Sequence, residues 1–70
     1  MTRVPTETDC TMLDVVTALG HVYTEDGVAM YLDLRHRHLG RERPIDLCKT
    51  MAGRWRVYQM AEILATGAFA

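Results

Sequence analysis

The chain contains no serine. Its 70 residues include only two cysteines, two prolines, one tryptophan and one phenylalanine. Each scarcity removes a class of protein. Without serine there is no Ser-His-acid nucleophile, and no carboxylate lies at a spacing that would orient any of the three histidines as a base. Cys10 and Cys48 are far apart and match no metal-ligand pair. Both fall in apolar-patterned segments, where a thiol acts as a small buried hydrophobe, and a reduced, cytoplasmic setting is expected for them. No secretory leader is read ahead of them. No apolar run approaches the roughly 18 residues a membrane span needs, so a soluble protein is expected. Enzyme activity, metal ligation and a cofactor are accordingly not expected.

What is present suffices for one small domain. Apolar residues make up 49% of the chain and charged residues 24%, the balance of a folded rather than a disordered sequence. A core of this size rarely supplies more than about 3–5 kcal/mol, so such a domain gains from a second copy or a partner. The net charge of −1 is laid out unevenly. Residues 1–34 carry six acids against Arg3 alone, whereas residues 35–70 carry seven bases against Glu42, Asp46 and Glu62. The two halves can match each other internally, or the basic half can face an anionic partner.

Hydrophobic spacing predicts helices throughout. Residues 1–8 have no periodicity and read as a flexible N-terminal arm. From Asp9 to Leu19, Met12, Val15, Val16 and Leu19 recur on one helical face, with Gly20 as the stop. Thr24 reads as the cap of a second helix, with Glu25 and Asp26 in its first turn and Val28, Tyr31, Leu32 and Leu34 as its buried stripe. Residues 35–43 have no apolar repeat and read as a loop holding four arginines, two histidines and Gly40. Pro44 suits the first turn of a short third helix with Ile45, Leu47 and Cys48 on its apolar side. Met51-Ala52-Gly53 reads as a break. A fourth helix is then expected from about Arg54 to Thr66, with Val57, Met60, Ala61 and Leu64 on one face and Trp55, Tyr58 and Ile63 widening it. The expected fold is an all-α bundle of three to four short helices over residues 9–70.

The ordered set of residues across positions 18–70 resembles the toxin-binding domain of the Xre/MbcA/ParS-type antitoxins. Ala18-Leu19-Gly20-His21-Val22-Tyr23 looks like the family's Ala-x-x-x-Phe-Gly lead-in, and Tyr31-Leu32 stands where the family has Trp-Leu. Leu39-Gly40-Arg41-Glu42-Arg43-Pro44 is similar to its Leu-x-Gly-(Arg)-x-Pro loop. Gly53, Val57, Ile63 and Gly67 follow in order, ahead of Ala68, Phe69 and Ala70. The chain departs from the pattern in three ways. Arg35-His36-Arg37-His38 replaces the usual Pro-Asn, Leu39 and Gly40 are adjacent, and at most one helix precedes the shared region. The family's operator-binding helix-turn-helix, and autoregulation through it, are therefore not expected, and the brevity suggests a phage or mobile-element protein.

The resemblance implies inhibition by binding. Family members sequester RES-domain toxins, which deplete NAD, by covering the toxin's active-site entrance with their C-terminal region. The positions implied as partner-binding are Leu39, Gly40, Arg41, Arg43, Arg54, Arg56, Gly67, Ala68, Phe69 and Ala70. Small residues can enter a narrow cleft, with Phe69 as an aromatic anchor. The terminal carboxylate could pair with cations that hold a dinucleotide's phosphates.

Other readings stay open beside it. Arg35, Arg37, Arg41 and Arg43 could contact nucleic acid phosphates, or form a solvated loop that pairs with the acids of the first half. His36-x-His38 with Cys48 lacks a fourth ligand for a metal. Trp55 and Tyr58 can be core or a partner-binding pair. Arg54 and Arg56 open a helix where cations oppose the dipole, which hints at an external acid. The wide apolar face of residues 54–66 could instead seal a homodimer.

Overall fold

Thr11 sets where the first helix begins. Its hydroxyl accepts from the Asp14 N–H at 3.2 Å, and its own N–H donates to the Asp14 carboxylate at 2.9 Å. This reciprocal capping box starts α1 at Met12 rather than at Asp9, and the helix runs Met12–Leu19. The computed structural model describes residues 4–67. Within the stretch expected to be a loose arm, Pro5 is buried and Thr6–Asp9 form a turn closed by the Asp9 N–H on the Thr6 carbonyl at 3.2 Å.

Thr24 caps α2, Glu25–Asp33, by accepting from the Gly27 N–H at 3.2 Å. A single 3-10 turn, Arg37–Leu39, follows, and α3 spans Pro44–Leu47 with Pro44 in its first turn. The last helix, α4, is Met51–Thr66, so the break expected at 51–53 does not occur. Thr50 is the reason: its hydroxyl accepts from the Gly53 N–H at 3.0 Å and starts the helix there. Gly53 therefore lies inside the first turn of α4, buried against α3. A Cβ at that position would stand 1.7 Å from the Leu47 carbonyl oxygen. The glycine gives close approach between helices rather than a break.

Among the described residues there is no strand, and the architecture is an all-α bundle of four short helices. α1 and α4 form the most extensive helix pair, while α3 bridges α2 and α4. Val15, Ala18 and Leu19 of α1 meet Val57 and Ala61 of α4 in a core completed by Cys10, Val28, Tyr31, Leu39 and Cys48. Met12, Leu32, Trp55, Tyr58, Met60 and Leu64 pack partly buried around it. The radius of gyration, 11.1 Å, equals the ~11 Å expected of a globular chain of this length, so the short helices close into a normal density.

The buried stripes differ from the periodicity at their edges. Val16, Leu34, Ile45 and Ile63 face solvent, and Ala18 takes the inner position on α1. A helix on the surface of a small bundle turns a stripe of roughly 100° inward, so the outer members of each apolar set stay wet.

Candidate functional site

Leu39 organises the loop between α2 and α3. Its side chain is fully buried, and the backbone on either side folds over it. The His36 N–H meets the Glu42 carbonyl at 3.3 Å, and the Arg41 N–H returns to the His36 carbonyl at 2.9 Å. Gly40 turns the chain with φ +69°, as expected for a left-handed glycine, and Arg41 follows at φ +63°. An arginine there is held against a cost of roughly 1–2 kcal/mol. The Arg35 guanidinium secures the turn by donating to the Arg41 carbonyl at 3.2 Å. The segment is thus an ordered turn pinned to the core, and Leu39 serves as its anchor rather than as exposed surface.

The four loop arginines divide into two kinds. Arg43 clamps Asp46 with two bonds, Nε to Oδ2 at 2.9 Å and Nη2 to Oδ1 at 3.2 Å, and reaches Asp33 at 3.1 Å. It ties the end of α2 to the start of α3. The hydrogen bond from Arg43, helped by its charge and by Lys49 at 3.5 Å, holds the Asp46 carboxyl below its ordinary range. Arg35 is occupied by the Arg41 carbonyl. Arg37 and Arg41 are exposed and have no side-chain partner among the described residues.

Arg54 points inward. Its guanidinium donates to the Cys10 carbonyl at 2.9 Å and the Cys48 carbonyl at 3.0 Å, joining the residue before α1's cap to the end of α3. The external acid suggested by its place at a helix start is not needed. Arg56, two residues on, is exposed and without a side-chain partner among the described residues. Neither cysteine is in a disulfide and both are buried, and burial pushes Cys48 up to about 11, so it is a poor nucleophile.

The histidines join an aromatic stack. Tyr23, Tyr31, His36 and His38 follow one another with ring centroids 5.5, 4.1 and 5.3 Å apart. His36 Nε2 donates to the Tyr31 carbonyl at 2.9 Å, satisfying one of α2's last carbonyls. The Tyr31 hydroxyl lies 3.4 Å from His38 Nε2. Burial, with the neighbouring Tyr23, pushes Tyr31 up to about 12. Burial, with His36 beside it, moves His38 below the ordinary 6.5. Among the described residues no group of three or more His, Cys, Asp and Glu is placed to hold a metal.

On α4, Trp55 and Tyr58 stack at 5.7 Å with ring planes 15° apart, half-buried against the core. The helix ends at Gly67, whose φ of +74° and N–H bonds to the Ile63 and Leu64 carbonyls make a left-handed cap. Ala68, Phe69 and Ala70 lie outside the described residues. The structure therefore brings Arg41 and Arg37 onto one exposed turn, turns Arg54 and Leu39 inward, and places Arg56 and Gly67 at opposite ends of α4.

Sequence reasoning missed the exposed side of α2. Met30 is 64% exposed, and an open cleft of about 420 Å³ lies between α1 and α2, lined by Val16, Tyr23, Val28, Ala29 and Leu32. The available signal was Met30's position off the stripe formed by Val28, Tyr31 and Leu32. No helix among the described residues is long and apolar enough to cross a membrane. Comparison with protein-family models, curated proteins and solved structures gives no match to this chain.

Proposed function

We propose that this chain is an antitoxin-like binding protein of the cytoplasm that neutralises a RES-type, NAD-consuming toxin by covering its active site with the end of α4 and the residues after it. The reading rests on the resemblance of residues 18–70 to the toxin-binding domain. The observation that carries it is the end of α4. Gly67 turns the chain off the helix axis at φ +74°, and the last helical turn carries no charged side chain. Ile63 is 38% exposed one turn earlier. A helix end without charged side chains can enter a narrow cleft, where a charged side chain would need a partner to offset its desolvation. Arg37, Arg41 and Arg56, exposed and without side-chain partners among the described residues, would be the cations available to a toxin surface away from this end.

Nucleic acid is the less supported partner. Of Arg35, Arg37, Arg41 and Arg43, Arg35 and Arg43 are engaged within the fold, and Glu42 follows Arg41 directly. Two free guanidiniums give a shallow salt dependence and weak affinity.

The test is affinity capture with the C-terminal end unblocked, followed by an NAD-consumption assay on the captured protein. Removal of residues 68–70 keeps the Gly67 N–H bonds that close α4, so circular dichroism should be unchanged while neutralisation is lost. Full neutralisation by the shortened chain would reject the covering mechanism, and capture of a nucleic acid would reject the toxin reading.

A further inference from the structure

We propose that the outer face of α2 is a self-association surface, on which a second copy of this chain docks antiparallel across a two-fold axis. The inner face of α2 is engaged through Val28 and Tyr31. On the outer face, Asp26, Met30 and Leu34 recur every four residues, which places them in one line along the helix. Met30 is 64% and Leu34 51% exposed. Beside them Tyr23, Gly27, Tyr31 and His36 line a shallow cleft of about 200 Å³ that can receive a methionine side chain.

The ends of this strip carry opposite charge. Glu25 and Asp26 stand in the first turn of α2, exposed and without a side-chain partner among the described residues. Arg37, equally unpartnered, opens the turn just beyond Leu34. An apolar centre with an acid at one end and a base at the other is complementary to itself under a two-fold rotation. The rotation that sets Met30 beside Met30 brings each Asp26 to the other copy's Leu34, within reach of its Arg37. The same rotation opposes the two helix dipoles favourably. Parallel docking would instead set acid on acid. Another protein would have to present this same alternation reversed, and a second copy presents it already.

One nine-residue helix offers less than the roughly 800 Å² per partner of a standard interface. The dimer is therefore weak, forms at high concentration and loosens with salt. The face differs from residues 54–66, whose Val57 and Ala61 are buried and whose Trp55, Tyr58, Met60 and Leu64 are half-covered by the chain's own core. It is also independent of the α4 end invoked for toxin binding, so either reading can fail alone.

Sedimentation equilibrium on the full chain tests it. The mass should rise from 8.0 kDa toward twice that value with concentration. D26R and R37D should each stay monomeric alone, because each places like charges together. An equal mixture should recover the dimer, since each end then meets its opposite. M30E, at an exposed position, should be monomeric with an unchanged circular dichroism spectrum. A wild-type mass fixed at that of the monomer would overturn the proposal. So would association of M30E at wild-type strength, or a mixture of the two charge variants that stays monomeric.

Discussion

Gly53 and Arg54 are chain neighbours whose roles follow from what each lacks or reaches. Gly53 has no Cβ, and α3 uses that space: the Leu47 carbonyl lies where a methyl group would be. Helix propensity alone favours alanine there by about 1 kcal/mol, because glycine loses more backbone freedom on folding. Overpacking costs about 1–3 kcal/mol and here forces carbonyl against carbon, so sterics wins. Gly53→Ala should lower stability by up to about 2 kcal/mol net, read as a reduced urea midpoint with an unchanged slope. A midpoint equal to or above wild type would show that α3 moves aside freely. Arg54 works by reach, collecting two carbonyls from segments distant in sequence. No local pattern could have assigned it, since its partners are backbone atoms at residues 10 and 48. The glycine was visible in the sequence, but its meaning was reversed, because the Thr50 cap that starts α4 ahead of it went unread.

At the scale of elements, the turn from residue 35 to residue 43 shows what local chemistry can and cannot announce. Pro44 was legible because it satisfies a backbone demand that few other residues meet. The left-handed Arg41 was not, since arginine gives no signal for φ > 0 and adopts it only because buried Leu39 and the Arg35 bond fix both sides. His38 in this turn and Asp46 just after it, in α3, both respond to pH. His38 has its folded pKa below 6.5, so the unfolded state binds more protons just below that pH. Its contribution is complete above pH 6.5 and declines as pH falls through the window beneath it. Asp46, lowered by Arg43, contributes above the ordinary 3.8 and is lost as pH falls further below it. Thermal melting against pH should therefore show two descents, and His38→Gln should remove the upper one alone. A wild-type profile flat between pH 7 and pH 5 would contradict the histidine's part in the stack.

For the whole molecule, stability is unevenly distributed between a tight pair of helices and a thinner attachment. α1 and α4 share the largest contact and supply Val15, Ala18, Leu19, Val57 and Ala61, all buried. α2 buries only Val28 and Tyr31 and is tied down by the exposed Arg43–Asp33 pair and the His36 bond to the Tyr31 carbonyl. An ion pair with Asp33 76% exposed adds little, typically up to about 1 kcal/mol. An apolar stripe was legible on α1, α2 and α4 alike, but which neighbour covers each stripe was not, so this hierarchy was hidden until the packing was known. Helices held by few buried contacts open before the rest of a domain. Amide hydrogen exchange should therefore show residues 28–34 exchanging by a partial opening, while residues 15–19 and 57–63 exchange only with global unfolding. If α2 closes against a second copy through Met30, its protection alone should rise with protein concentration, and M30E should cancel that rise. Uniform protection across all four helices, independent of concentration, would mean that the core formed by α1 and α4 already holds α2 as firmly as itself.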